Sequence, residues 1–258
     1  VSVCTPNAFH LEPTLASLAA GKHVMVEKPI GLNAKEGLAM CRAAKKARRL
    51  LAVGHHTRFD PAVETLKRFV DAGEVGRPYY ARAQTMRRRG IPSWGSFISK
   101  KLNGGGPLID IGVHIIYSAL YLLGFPRPVS VSGKTYTLFG NRSDVVPGGW
   151  GMWDYKNYTV EDNAFGFVRF EGDLTMTVET SFVANIAQEC HNVTILGDKG
   201  GIQTNPATFA GEANGTLTNV TPAFLPQGKS HEREIAQFVA AIRGEGRVGV
   251  SGEEALLV

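Results

Sequence analysis

Cysteine is scarce in this sequence, and its three thiols lie far apart. Cys4, Cys41 and Cys190 form no Cys-x-x-Cys pair and no spacing typical of metal ligands. This pattern argues against a disulfide framework and against a cysteine-based metal site. We therefore predict free, partly buried thiols in a reducing cytoplasm, and no bound metal.

The sequence also lacks a long hydrophobic run, a secretory leader and an initiator Met. No apolar run approaches the roughly 20 residues that cross a bilayer, and the first residues show neither a basic region nor a small-residue cleavage site. We therefore predict no membrane partner. The chain opens directly on the strand pattern Val1–Cys4, so we expect it to be an N-terminally truncated form of a longer protein.

Positive charge is in modest excess, with a net charge of +5. The sharpest basic clusters are Lys45–Arg49 and Arg87–Arg89, and such clusters can neutralise nucleic-acid phosphates. The first one, however, ends a helical pattern, where cations suit the helix dipole. Because no nucleic-acid-binding motif accompanies either cluster, we predict no nucleic-acid partner.

The first quarter of the chain alternates short apolar strands with helical patterns. The strands are predicted at Val1–Cys4, His23–Val26 and Leu50–Gly54, and the helices at Pro13–Ala20 and Ala34–Arg49. Short links in this order require right-handed crossovers and a parallel sheet. Residues 1–57 are therefore predicted to form the C-terminal half of a doubly wound, Rossmann-type domain.

The pattern changes after residue 57. Helices are predicted at Pro61–Ala72, from Pro107 to Leu123 and at Glu232–Ile242, and strands at Tyr79–Met86, Val129–Thr137, Asn163–Phe170, Leu174–Phe182 and Asn192–Leu196. Consecutive strands joined by Gly-Asp turns are typical of antiparallel pairing. Residues 58–258 are predicted to form an α+β domain with a large, mostly antiparallel open sheet, and the whole chain belongs to the α/β class.

Lys28 is the first candidate site residue. It lies between Glu27 and Pro29, directly after an apolar strand, at the sheet edge where open parallel sheets bind ligands. Partial burial there would lower the pKa of a lysine and suit it to proton transfer. The alternative is a strand-end surface lysine that pairs with Glu27.

Asp110 and His114 are the second candidate. They are four residues apart on the helix predicted to begin at Pro107, so they share one face, and their neighbours are apolar. A carboxylate in this position can orient a histidine that acts as a general acid or base. The alternatives are a buried Asp–His hydrogen bond with a structural role and a metal site, for which the sequence offers no third ligand.

Aromatic residues supply the third candidate. The segment 150–162 is rich in aromatic and polar residues, including Trp153 and Tyr155, and aromatic faces suit the apolar faces of sugar rings. Trp94 is a similar candidate. The alternative is an aromatic loop that packs on the core or on another subunit.

These motifs together resemble one known family. Thr5-Pro6-Asn7 with His10, the Glu27-Lys28-Pro29 motif, Arg58-Phe59, and Asp110-x-x-x-His114 after Gly106 are similar in order and spacing to the glucose-fructose oxidoreductase / inositol dehydrogenase / rhizopine-catabolism (Gfo/Idh/MocA) family. The resemblance implies a Rossmann domain, a second domain whose open sheet forms a subunit interface in a dimer or tetramer, and NAD or NADP as cofactor.

The resemblance also implies roles for individual residues. Lys28, Asp110 and His114 would be catalytic and would bind substrate. Trp153 and Tyr155 are predicted to bind substrate from their aromatic segment alone. In oxidation of a secondary alcohol, His114 or Lys28 would take the hydroxyl proton. The neighbours of the cofactor would be Thr5, Pro6, Asn7, His10, Glu27, Lys28, Arg58 and Trp94. The segment that carries the family's glycine fingerprint and the residue that reads the ribose 2′ position is absent from this sequence, so the resemblance does not distinguish NAD from NADP.

The predicted function is hydride transfer between a nicotinamide and a secondary hydroxyl of a sugar, sugar derivative or cyclitol. Two alternatives stay open. One is a non-catalytic, ligand-binding or regulatory member of the family. The other is an enzyme that uses NAD to assist glycoside cleavage, although no carboxylate pair typical of glycosidases is present.

Overall fold

A computed structural model describes residues 1–258 and contains two β-sheets. The strands are β1 (Ser2–Val3), β2 (Val24–Glu27), β3 (Leu51–Gly54), β4 (Pro78–Met86), β5 (Pro128–Tyr136), β6 (Asn163–Phe170), β7 (Thr175–Ser181), β8 (Cys190–Gly197), β9 (Gly200–Thr204), β10 (Ala207–Ala213) and β11 (Thr216–Val220). The helices are α1 (Leu11–Ala19), α2 (Ala34–Ala47), α3 (Pro61–Asp71), α4 (Lys100–Asn103), α5 (Val113–Leu123), α6 (Ser230–Ile242) and α7 (Gly252–Ala255).

The first sheet is parallel, with strand order β1-β2-β3. Helices α1 and α2 form the crossovers, as the sequence predicts. The helix ends follow local chemistry: the Asn33 side chain accepts a hydrogen bond from the Glu36 amide at the start of α2, and Arg48 ends that helix in the left-handed conformation. All three strands therefore end at one edge of the sheet, and the residues that follow them lie there.

The end of the chain returns to this first sheet. The Val53 amide donates to the Val250 carbonyl at 3.2 Å, and Ser251 caps α7 through a reciprocal bond with Glu254. Val250 and Ala255 are buried in the same core as β1–β3. The sequence-based boundary at residue 57 did not include this contribution, because the segment meets the sheet about 200 residues after β3.

The second sheet has eight strands in the order β11-β10-β9-β8-β4-β7-β6-β5. Every neighbouring pair is antiparallel except β4–β7, which is parallel. Helices α3 and α5 cover one face, where Leu66 and Ala119 pack against residues such as Ala81 and Val178. The predicted fold class, a parallel sheet followed by a large and mostly antiparallel one, is confirmed.

The helix predicted from Pro107 to Leu123 is not uniform. Its first part, Leu108–Gly112, is a π-helical turn, and α5 continues from Val113. The stretch Lys100–Leu123 is long and apolar enough for a membrane span by length and composition, but 61% of its most apolar window is buried inside the protein. Such burial is typical of a core helix, and the stretch carries Asp110 and His114 to the edge of the first sheet.

Candidate active site

Lys28 and Asp110 form an ion pair where the two sheets meet. Lys28 follows β2, and its Nζ donates to Asp110 Oδ1 at 2.9 Å and to the Asp110 backbone oxygen at 2.7 Å. The two side chains are only 16% and 8% exposed. Charges this sheltered need a partner, and each supplies one for the other. The alternative in which Lys28 pairs with Glu27 does not hold, because the Glu27 carboxylate accepts from the Lys28 backbone amide instead.

His114 lies beside this ion pair, in the first turn of α5. Its Nδ1 is buried and has no hydrogen-bond partner, and its ring lies 4.8 Å from the His56 ring. Burial holds the pKa of His114 well below its ordinary value, and the charge of Lys28 and the neighbouring histidines lower it further. His114 is therefore neutral near pH 7 and has a ring nitrogen available to accept a proton.

The predicted Asp110–His114 hydrogen bond is not present. Asp110 bonds to Lys28 instead, since an ammonium is a stronger partner for a carboxylate than a neutral imidazole. The structure thus brings all three predicted catalytic residues together, but it gives Asp110 a different partner. Asp110 orients Lys28 directly, and it has no direct contact that would orient His114.

A cavity of about 590 Å³ opens in front of these residues, within the range of small-molecule sites. Both sheets contribute to its lining, which includes Lys28, His56, Arg87, Trp94, Asp110, His114, Trp150, Glu189 and His191. No group of three His, Cys, Asp or Glu side chains is arranged to hold a metal ion. The lining of the cavity offers hydrogen-bonding groups and aromatic faces to a ligand.

Two predicted substrate residues lie away from this cavity. Trp153 is 6% exposed, and its indole N–H donates to the Gly140 carbonyl. Tyr155 packs against the same buried cluster as Trp153. The predicted role of these two residues is not supported, because their rings fill a core under the loop. Trp150, in the same aromatic segment, lines the cavity instead.

The predicted cofactor residues lie mainly at the carboxyl edge of the first sheet. Thr5 and Pro6 are exposed there, and Asn7 is anchored by its amide to Asn103. His10 is fully buried, with its ring nitrogens 2.8 Å from the Pro29 carbonyl oxygen and 2.9 Å from that of Thr5. His10 therefore positions the loops after β1 and β2 and has no surface free to touch a ligand.

Arg58 also lies outside the cavity. Its guanidinium donates to the Tyr117 hydroxyl at 2.9 Å and to Glu254, and it stacks over the Tyr121 ring. Its placement does not support the predicted contact with cofactor. Glu254 belongs to the C-terminal segment that returns to the first sheet, and no local pattern around Arg58 indicates this partner.

Several residues of the cavity were not predicted from the sequence. His56 follows β3, so the rule that ligands bind at carboxyl ends of parallel strands could have identified it. Arg87 and His191 come from the ends of β4 and β8, which are paired with each other. No local pattern indicates that pairing, because the two strands are about 100 residues apart.

A half-Rossmann sheet whose carboxyl edge holds a lysine, a carboxylate and a neutral histidine defines a class of nucleotide-dependent oxidoreductase. The comparison with family models agrees: residues 1–55 match the oxidoreductase family with an NAD-binding Rossmann fold, and residues 63–203 match the GFO/IDH/MocA C-terminal domain. The chain belongs to the Gfo/Idh/MocA family of oxidoreductases.

The similarity to known relatives extends over nearly the whole chain. D-glucoside 3-dehydrogenase from Escherichia coli (strain K12) is 38% identical over 100% of this chain and 73% of its own length. The NAD(+)-dependent scyllo-inositol 2-dehydrogenase of Bacillus subtilis (strain 168) is 29% identical over 94% of this chain and 67% of its own. A levoglucosan dehydrogenase solved with NADH and levoglucosan superimposes with a TM-score of 0.81 at 25% identity, covering 99% of this chain and 74% of that protein.

Proposed function

We propose that this protein is an NAD- or NADP-dependent oxidoreductase that moves a hydride between nicotinamide and a secondary hydroxyl of a sugar, sugar derivative or cyclitol. One observation carries the proposal: the Lys28–Asp110 ion pair lies beside the neutral His114 in a single cavity at the carboxyl edge of a parallel sheet. The relatives named for glucosides, inositol and levoglucosan act on polyhydroxylated rings, and such a ring suits the hydrogen-bonding groups around Lys28, Asp110 and His114.

The residues at the sheet edge fit the nicotinamide end of the cofactor. Thr5 and Pro6 are exposed, and Asn7 and Glu27 partly exposed, at the ends of two neighbouring strands and on the side where Lys28 enters the cavity. We propose that these four residues border the cofactor and that His10 holds their loops in place. When bound, the nicotinamide supplies the acceptor or donor of the hydride.

The chain's own groups handle the proton. In the oxidation direction, the substrate hydroxyl must lose a proton as its carbon loses hydride. Nε2 of neutral His114 accepts that proton, because Nδ1 is enclosed by protein, and the Lys28 ammonium donates a hydrogen bond to the substrate oxygen. Asp110 holds Lys28 in place through its carboxylate and its backbone oxygen. In the reduction direction, His114 returns the proton to the new alkoxide.

A substitution of His114 tests this assignment. We expect His114→Ala in the full-length protein to lower kcat roughly a hundredfold or more, since loss of a general base removes an acceleration of that size. The measurement follows reduced nicotinamide by absorbance, with NAD or NADP and a panel of glucosides, hexoses and inositols. The thermal unfolding curve of the variant shows whether the fold is intact.

A matched pair of lysine variants completes the test. Lys28→Ala should abolish most turnover, whereas Lys22→Ala, at an exposed position before β2, should leave it unchanged. Near-normal turnover in His114→Ala would remove His114 from the mechanism. Ligand binding without turnover across the whole panel would instead indicate a binding or regulatory protein.

We also propose that the protein works as a homo-oligomer in the cytoplasm. The face of the eight-stranded sheet that α3 and α5 leave open exposes Phe165 and Phe167, which are 38% and 41% accessible. Aromatic residues on an open sheet face favour association with a second copy. Three free cysteines are consistent with a reducing compartment.

A further inference from the structure

One side of the cavity is an aromatic surface that the proposed reaction does not use. The rings of Trp94 and Trp150 stack with their centroids 5.3 Å apart and their planes within 5°. The guanidinium carbon of Arg87 lies 4.3 Å from the centroid of the Trp150 ring. All three residues line the cavity, and together they are called the tryptophan wall.

The tryptophan wall is held in place without any ligand. The Ser93 hydroxyl donates to the Trp150 backbone oxygen at 2.9 Å, which ties the loop that carries Trp94 to the loop that carries Trp150. Arg87 is anchored in turn by a 2.9 Å bond to the Gly90 carbonyl. A ligand that stacks on the wall therefore meets preformed rings and does not have to order them.

The outer ring of the wall is open. Trp94 is 56% exposed, whereas Trp153, in the core nearby, is 6% exposed. A large aromatic surface that faces both water and a ligand cavity gains by being covered, and a flat ring covers it best. The sugar rings and aryl rings that occur as aglycones of glycosides both present such a flat, apolar face.

We propose that the tryptophan wall binds the aglycone ring of a glycoside whose sugar hydroxyl reacts at His114. This inference rests on the proposed function, because it takes the reacting sugar to lie against Lys28, Asp110 and His114. Those polar groups are mostly buried, while Trp94 is open to solvent. A substrate with a second ring can therefore extend from the reacting group to the wall.

The test compares substrates that share the reacting sugar and differ in the aglycone. They are phenyl β-glucoside, a β-linked glucose disaccharide and methyl β-glucoside. We expect Trp94→Ala to lower kcat/KM for the first two about tenfold more than for methyl β-glucoside, as for the loss of one aromatic stacking contact. Trp94→Phe, which keeps a flat ring, should recover most of the loss. Phe224→Ala, at an exposed aromatic residue outside the cavity, should change none of the three values.

The losses of kcat/KM for phenyl β-glucoside and for the disaccharide show whether the tryptophan wall prefers an aryl ring or a sugar ring. A similar loss with methyl β-glucoside would overturn the inference, because the wall would then act on the reacting sugar or on the fold. No loss with any substrate would overturn it as well.

A binding measurement separates the wall from the chemistry. The protein has three tryptophans, and Trp94→Phe/Trp150→Phe leaves only the buried Trp153. Phenyl β-glucoside should change the fluorescence of the wild type and not that of this double variant. If this change occurs and no reduced nicotinamide forms, the proposed function is wrong, but the tryptophan wall still binds the ring. If the wild type turns over the glucosides without the change in fluorescence, the proposed function is supported, and the proposed ring binding at the tryptophan wall is wrong.

Discussion

At the scale of single residues, the ion pair between Lys28 and Asp110 affects both the stability of the fold and the proposed catalysis. Both groups are largely removed from water, so each depends on the other for its charge to be tolerated. Removing one member of such a pair leaves an uncompensated charge, which destabilises a protein more than removing both. The pair therefore has a measurable effect on folding as well as a proposed effect on catalysis.

We expect Asp110→Ala to lower the free energy of unfolding by about 3 kcal/mol, the lower end of the range for breaking a buried pair. Lys28→Met/Asp110→Ala should lose less than Asp110→Ala alone, because no charge stays unpaired. Urea unfolding of the wild type, both single variants and the double variant gives the coupling energy. A double variant that loses the full sum of the two single effects would show that the residues do not stabilise each other.

Sequence reasoning identified the residues of this site better than it identified their partners. Lys28 could be predicted because it follows a strand at the sheet edge where ligands bind, and Asp110 and His114 because their four-residue spacing places both on one face of a helix. The partner of Asp110 could not, since it depends on how two parts of the chain 82 residues apart approach each other. The same reasoning chose Trp153 over Trp150, because two tryptophans in one loop look alike until burial separates them.

At the scale of elements, helix α6 carries a buried carboxyl group with no function in the site. Glu234 is 6% exposed, and its Oε1 has no hydrogen-bond partner. Burial and, to a smaller extent, the negative charge of Glu27 raise the pKa of Glu234 to about 8. Helix α6 therefore packs against the site region with a protonated carboxyl group near pH 7.

This elevated pKa makes stability depend on pH in a definite direction. The unfolded chain releases the Glu234 proton near the ordinary pKa of 4.5, and the folded chain near 8. Between these values the folded state binds more protons, so this group's contribution to stability is complete below pH 4.5 and is lost as the pH rises toward 8. We expect Glu234→Gln to be more stable than the wild type at pH 9 and to lose most of that advantage at pH 4.

Thermal unfolding at both pH values measures this difference. The matched control is Glu232→Gln, because Glu232 lies two residues away on the same helix and is exposed. Its stability relative to the wild type should show no such change with pH. An equal difference between Glu234→Gln and the wild type at both pH values would mean that folding does not raise the pKa of Glu234.

Some helices and strands are determined by neighbouring residues in the sequence, and others by contacts with distant parts of the chain. Helices α2 and α3 could be predicted closely because Asn33 caps the first, and Asp60 with Pro61 begins the second. Strands β9–β11 were not predicted, since their partners and not their own patterns hold them in the sheet. The return of Val250 and Ser251 to β3 is another long-range contact that no local rule indicates.

At the scale of the whole molecule, the eight-stranded sheet has one covered face and one open face. On β6, Val168 and Phe170 turn toward α3 and α5 and are buried, while Phe165 and Phe167 turn away and are exposed. The open face also carries a polar cross-strand pair, in which Arg82 donates to Glu179 at 2.7 Å. A mixture of aromatic anchors and paired charges is typical of interfaces between subunits.

We expect Phe167→Glu to shift the full-length protein from a dimer or tetramer toward the monomer, because it places unpaired charges opposite each other across a self-complementary interface. Light scattering after size-exclusion chromatography measures the mass at several protein concentrations. Phe224→Glu is the matched control, since it puts the same charge on an exposed aromatic residue outside the sheet. The melting temperature of the monomeric variant then shows whether the fold depends on association. A monomeric wild type, or an assembly unchanged by Phe167→Glu, would exclude this face as the interface. Dissociation that leaves ligand binding in the cavity intact would show that the open face serves association and is not needed for ligand binding.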